Sequence, residues 1–445
     1  MKIRITPHIS ILIAFIMNMT LLTSCTIDQA KKDSRATEVT IKNENGKFKL
    51  YKDGQAFYIK GAGLGIGIEK MESIQKHGGN SIRTWSVNNS RYSGKEILDE
   101  AQKLGLMVCM GIDMGRERHG FDYNDEQAVQ KQFDRIKAEV TELKDHPALL
   151  MWGIGNELNL SYKNDQVWIA VNEISKMIHQ EDGNHPTTTM LAGAETEMLT
   201  KVMELAPDLD LISFQFYGAL YKLPGLIEKA NYTGPYIVSE WGTTGHWEVE
   251  KTSWNRPIEE SSSQKVLAFQ DRYINIIQKD QNHCLGSYVF LWGHKQERTP
   301  TWYGLLLESG EETEMIDMMH FLWNDKWPDN RAPQIVDFLL ENQRSFASVT
   351  LRENQVYSSN VIAQDPENDT LSYKWEILNE VPVEKQSEGG DFEPASDKII
   401  QFDYGQKGDE LTFKAPVKGE YRIFIYVKDQ NGKVATANIP FLVTK

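Results

Sequence analysis

Cysteine is scarce: Cys25, Cys109 and Cys284 are the only three in 445 residues, and their wide separation supplies neither a disulfide framework nor a metal-ligand spacing. Basic surplus is absent as well. The formal net charge is -15, which excludes the positively charged face that nucleic acid or an anionic lipid surface would require of a partner. The ten histidines include no His-Glu-x-x-His pair, so a metallohydrolase site is not expected. A phosphate-cradling loop is missing too: in "GAGLGIG" (61–67) Ile66 stands where a dinucleotide loop needs its third glycine, and no Gly-Lys-Ser/Thr follows. These absences leave no cofactor and no metal to expect. What remains is an ordinary globular composition, 40% hydrophobic and 10% aromatic, with enough length for more than one domain and a balance suited to a neutral ligand.

The first 25 residues place Lys2 and Arg4 ahead of an apolar run from Ile9 to Leu22, the layout of a secretory signal. The run ends in Leu22-Thr23-Ser24-Cys25, which resembles the bacterial lipobox, where the cysteine becomes the lipid-modified first residue; a plain signal peptide is the simpler reading. Thr26 follows rather than an aspartate, which implies an outer-membrane lipoprotein, on either face, touching the membrane only through its anchor. Residues 26–40 are polar and aperiodic and read as a tether.

The body begins with alternating residues punctuated by Asn45-Gly46 and Asp53-Gly54, both strong hairpin turns. Up to about residue 328, apolar runs then alternate with helical patterns. In "GKEILDEAQKLG" the apolar face is Ile97, Leu98, Ala101 and Leu104; in "EQAVQKQFDRIKAEVTELKDHP" it is Val129, Phe133, Ile136, Val140 and Leu143. Eight such strands, ending in "SYVFLWG", predict a (β/α)8 barrel over 41–328, hairpin included, with a doubly wound sheet as the alternative. After Trp327-Pro328 helical periodicity gives way to alternating segments, so 333–445 reads as an immunoglobulin-like β-sandwich serving as a spacer rather than in catalysis. Its "DPENDTLSYKWEI" aspartates could bind calcium, but a solvated acidic loop is the plainer reading.

In a barrel, residues at the C-terminal ends of strands point into a shared mouth. Glu157 leaves the apolar fourth strand "ALLMWGIGNEL", and Glu240 ends the seventh, "YIVSEWG". Two carboxylates facing across a mouth are the equipment of glycoside hydrolysis, one acting as acid and base, the other attacking or positioning water.

"HPALLMWGIGNEL" resembles the acid/base strand of clan A glycoside hydrolases, most closely the barrels of family 2; "IVSEWG" is similar to their nucleophile strand and "GGNSIRTWSV" to their second strand. The resemblance implies a retaining mechanism with Glu240 as nucleophile, Glu157 as acid/base at about 5 to 5.5 Å, Arg83 bracing Glu240, and Asn156 on the sugar 2-hydroxyl. The charge of Glu240 should raise the pKa of Glu157, while Arg83 should keep Glu240 ionised. It places Tyr217 on the nucleophile, Gln215 where relatives often carry His or Asn, and Trp292 as the floor under the reacting sugar. Trp241, Trp247, Trp254 and Trp302 follow the last two strands with faces suited to stacking on pyranose rings, though each alone also fits core packing. The loop with Asp113, Arg116, Arg118 and His119 reads equally as a solvated charged loop. The short hairpin leaves no room for family 2's usual leading β-domains, which counts against a galactosidase, mannosidase or glucuronidase of that family; a barrel followed by a sandwich resembles glycoside hydrolase family 158, implying an endo-β-1,3-glucanase acting on a β-glucan, and a monomer is expected. An endo-β-mannanase or β-1,4-glucanase is the enzymatic alternative. A silent, glycan-binding barrel is the alternative of another class, against which the presence of Arg83, Asn156, Glu157 and Glu240 together weighs.

Overall fold

The computed structural model describes residues 36–193, 195–386 and 391–445. The lipid-attachment reading at Cys25 lies outside the described residues. Eight parallel strands close into a barrel: β1 (Ile59–Leu64), β2 (Ser81–Arg83), β3 (Met107–Ile112), β4 (Leu149–Asn156), β5 (Thr187–Ala192), β6 (Leu211–Gln215), β7 (Tyr236–Trp241) and β8 (Cys284–Trp292). Each pairs with its sequence neighbour, and β8 closes on β1. The doubly wound alternative is thereby excluded. Burial on both faces explains why β3, β4, β7 and β8 read as continuous apolar runs rather than alternating ones.

Among the described residues eight α-helices ring the barrel: α1 (Met71–Lys76), α2 (Gly94–Lys103), α3 (Glu126–Leu143), α4 (Gln166–Glu181), α5 (Thr196–Leu205), α6 (Leu223–Lys229), α7 (Ser262–Arg272) and α8 (Glu314–Asn324). Local chemistry sets several starts. Ser93 with Glu96 forms a capping box on α2, Ser261 with Gln264 one on α7, and the Asp125 carboxylate accepts from Gln127 and Ala128 at the start of α3.

The hairpin ahead of β1 pairs Val39–Glu44 with Lys47–Lys52. Asn45 and Gly46 have φ of 56° and 86°, the two left-handed positions that an Asn-Gly hairpin turn requires. Val39 and Leu50 pack with Ile59, Leu150 and Ile237, capping the N-terminal end of the barrel and leaving the other end open.

The C-terminal region is a two-sheet β-sandwich, with Trp375, Phe413, Ile423, Ile425 and Phe441 between the sheets. Its strand Gln334–Leu340, in a three-stranded sheet with Val356–Gln364 and Glu410–Lys414, is absent from the sequence reading. The larger sheet extends into the barrel domain: Glu312–Thr313, just before α8, pairs in parallel with the final strand, Lys433–Thr444. Buried polar contacts complete the junction. Asn438 Nδ2 donates to Glu259 at 2.6 Å, Arg422 Nη2 to Pro257 O at 2.9 Å, and Lys433 Nζ to Asp317 at 2.5 Å. Glu259 also pairs with Lys265 at 2.6 Å, so these charges leave water already partnered. No helix among the described residues is long and apolar enough to cross a membrane.

Candidate active site

The open end of the barrel holds a cavity of about 1540 Å³ lined by Arg116, Arg118, Asn156, Glu157, Gln215, Tyr217 and Glu240 among others. Glu157 enters it because the backbone turns sharply where β4 ends. Gly155 and Glu157 have φ of 73° and 54°, and a Cβ at Gly155 would lie 2.4 Å from Leu158 Cδ1. For glutamate the left-handed region costs about 1–2 kcal/mol. Its amide is anchored on Met190 O at 3.0 Å. The strain falls on a carboxylate that lines the cavity, and strained residues commonly cluster at functional sites.

Glu240 is surrounded by donors. Arg83 Nη1 pairs with its Oε2 at 2.9 Å, Tyr217 donates to its Oε1 at 2.7 Å, and Gln215 Nε2 reaches Oε2 at 3.3 Å. Arg83 lies fully buried inside the barrel with its guanidinium 4.7 Å over the Trp85 ring. Its other terminal nitrogen donates to Asn156 Oδ1, which also accepts from Gln215 Nε2 at 2.8 Å. With Oδ1 so occupied, the Asn156 amide hydrogens are what remains for a ligand. Gln215 thus bridges Asn156 and Glu240 from the position where relatives often carry His or Asn.

Burial first, and then the negative charge of Glu240, push the Glu157 carboxyl up to about 8, against the opposing pull of Arg118, Arg83 and Arg116. The sequence reading credited the neighbouring charge; desolvation is the larger cause. The Tyr217 hydroxyl is raised as well, by burial and by Glu240, and so stays a donor at neutral pH.

Four of the five predicted sugar-contacting tryptophans are elsewhere. Trp241 follows Glu240 on β7, and adjacent strand residues point to opposite faces, so a mouth-facing Glu240 sends Trp241 outward against Phe269 and Tyr273. Trp292 follows an irregularity in the β8–β1 register between Val289 and Trp292 and stacks on Trp323 of α8, ring centres 5.5 Å apart. Trp302 is buried with its indole nitrogen on Thr244 O, while the adjacent Tyr303 takes the cavity wall. Trp254 does not line the cavity, but Trp247 does, 55% exposed and edge-on to Tyr217.

Aromatic lining missed in the sequence comes from Trp85, Phe290 and Tyr303, which pack as one cluster with Tyr217. Of the charged loop after β3, Arg116 and Arg118 line the cavity, whereas Asp113 and His119 do not. The sandwich contributes as well. Asp391 lines the cavity and binds His119 at 3.0 Å, and the buried Glu393 pairs with Arg298 at 2.6 Å. The expectation of a mere spacer is corrected by that contact. No sequence signal announced it, because nothing in a strand pattern says which hairpin loop reaches a neighbouring domain.

A search of curated proteins finds no match. Among solved structures the chain is similar to the beta-glucuronidase of Bacteroides uniformis, with 14% identity over 91% of this chain and 48% of that one and a TM-score of 0.50. It is also similar to the beta-glucuronidase of Ruminococcus gnavus, with 15% identity over 65% of this chain and 53% of that one and a TM-score of 0.51. The chain spans about half the length of these proteins, and at such identity the likeness speaks for the fold. Residues 71–246, the interval that carries Arg83, Asn156, Glu157, Gln215, Tyr217 and Glu240, match the family model described as "Glycosyl hydrolases family 2, TIM barrel domain".

Proposed function

We propose that this protein is a retaining β-glycoside hydrolase. The observation that carries the reading is the pair Glu157 and Glu240 in one cavity with opposite environments. Glu240 is ringed by Arg83, Tyr217 and Gln215, as a nucleophilic carboxylate needs, and Glu157 is raised to about 8, as a general acid needs. Glu240 attacks the anomeric carbon while Glu157 gives its proton to the departing oxygen; Glu157 then takes a proton from the water that releases the sugar.

For the substrate we infer an endo-acting enzyme on β-1,3-glucan. A volume of about 1540 Å³ exceeds the roughly 300–1,000 Å³ usual for a single small ligand and suits several sugar units. The apolar wall of Trp85, Trp247, Phe290 and Tyr303 suits neutral pyranose faces. A second reading, a glycan bearing uronic acid, is favoured by Arg116, Arg118 and Lys295 on the same wall and agrees with the names of the two solved relatives. Product release from laminarin, mixed-linkage glucan, cellulose derivatives, β-mannan and an aryl β-glucuronide separates these readings. Laminarin oligosaccharides of several lengths are expected. Release from the glucuronide alone would discard the glucan, and glycan binding without any product would discard the hydrolase.

Lipid attachment at Cys25 and an outer-membrane location belong to the same proposal and rest on the sequence around that residue. Mass spectrometry of the mature N-terminal peptide checks them: a diacylglyceryl group on Cys25 is expected, and a chain beginning elsewhere would end the idea.

A further inference from the structure

On the sandwich, the loops holding "DPENDT" and "KDQNGK" bring Asp365, Asp369 and Asp429 together, with one carboxylate oxygen from each within 4.8 Å of the others. The carboxylates of Asp365 and Asp429 are buried and that of Asp369 half-buried. Three like charges this close repel strongly unless something neutralises them. The cations nearest in sequence are engaged elsewhere: Arg331 with Glu367, Lys428 with Glu311, and Lys433 with Glu312 and Asp317.

The partners these carboxylates have are amides. Asp365 Oδ1 accepts from the backbone of Glu367 and Asp369, and Asp429 Oδ1 from that of Asn431 and Lys433. Asn330 Nδ2 donates to Asp429 Oδ2 and Asn431 Nδ2 to Asp369 Oδ2, each at 2.7 Å. One buried oxygen of the three carboxylates is left over. Asp365 Oδ2 is sealed from solvent and has no hydrogen-bond partner. A buried carboxylate oxygen without a partner is costly, and it is the independent sign that the cluster faces a missing positive charge.

We propose that Asp365, Asp369 and Asp429 bind a calcium ion, with the side-chain oxygens of Asn330 and Asn431 completing the cage. Turning an amide by half a rotation exchanges its nitrogen for its oxygen, so both asparagines can face the ion as acceptors. The donors are all hard oxygens, which excludes the nitrogen and sulfur chemistry of zinc. They come from three separate stretches, a geometry that suits calcium's variable six to eight ligands better than magnesium's rigid octahedron. Asn330 lies between α8 and the first sandwich strand, so the ion joins the interdomain segment to two loops of the sandwich. A solvated acidic loop, the plainer reading of the sequence, does not account for the sealed Asp365 oxygen.

The test is calcium titration by calorimetry on the full chain after treatment with a chelator, with no substrate present. One calcium per chain is expected, with affinity at or tighter than the roughly 10⁻⁴–10⁻³ M of extracellular modules. Saturating calcium should raise the Tm of the sandwich transition by about 5 °C, and magnesium at the same concentration should not. Asp365→Asn and Asp429→Asn should weaken binding at least tenfold; Asn330→Ala, outside the sheets, is the companion variant should either fail to fold. Absence of binding at about 5 mM calcium, or unchanged affinity in Asn330→Ala and in every folded aspartate variant, overturns the proposal. None of these outcomes depends on the hydrolase reading.

Discussion

Replacing Glu240 by Gln is expected to lower kcat on the preferred glycan by about 10⁴-fold or more, the scale on which loss of a nucleophile is felt when the rest of its site survives. The substitution keeps the shape of the side chain and removes the attacking charge beside Arg83 and Tyr217. Trapping makes the test specific. A slow 2-fluoro glycoside should add one sugar mass to the native enzyme, on the peptide that contains Glu240, and none to the variant. Activity within tenfold of native, or a label on another carboxylate, would place the nucleophile elsewhere.

Glu157→Ala should behave differently. On a natural glycan, whose leaving oxygen must be protonated, turnover should fall by about 10²–10⁴-fold. On a dinitrophenyl glycoside, whose leaving group needs no proton, the first step should stay close to native, and azide should restore turnover by attacking the glycosyl-enzyme in place of base-activated water. Because the Glu157 carboxyl is pushed up to about 8, native kcat/KM should be level at neutral pH and fall tenfold per pH unit above about 8; Glu157→Gln should lose that limb. Stability follows the same sign. A raised pKa means a contribution fully present below the unfolded value, near 4.5, and lost as pH rises through about 8. Glu157→Gln should therefore gain Tm relative to native at pH 8 and not at pH 4. Insensitivity of the dinitrophenyl/glycan ratio to the substitution would remove Glu157 from the acid role.

Much of this site is legible in the sequence because barrel topology converts order along the chain into position: a residue ending an apolar strand is in the mouth. Asn156, Glu157, Tyr217 and Glu240 follow that rule and line one cavity, with Arg83 buried beneath them on Glu240 and Asn156. The tryptophans show where it fails. Trp241 could have been set aside by alternation alone, since it sits one position from a mouth-facing glutamate. Trp292 could not, because a register irregularity resets which face its strand presents. Phe290 and Trp85 were hidden for the opposite reason, being apolar residues within or just after apolar strands with nothing to separate a cavity wall from a core. The closing strand Glu312–Thr313 is only two residues long and carries no period at all.

The rim of the cavity is written in two places. Asp391 of the sandwich meets His119 of the barrel across 272 residues of sequence, and Glu393 is buried against Arg298 just behind it. Recombination that swaps one domain and keeps the other separates the halves of that rim, however intact the barrel's own fold. The two domains therefore shape one rim together, and a substitution that reshapes the mouth of the cavity can arise in either without touching Glu157 or Glu240.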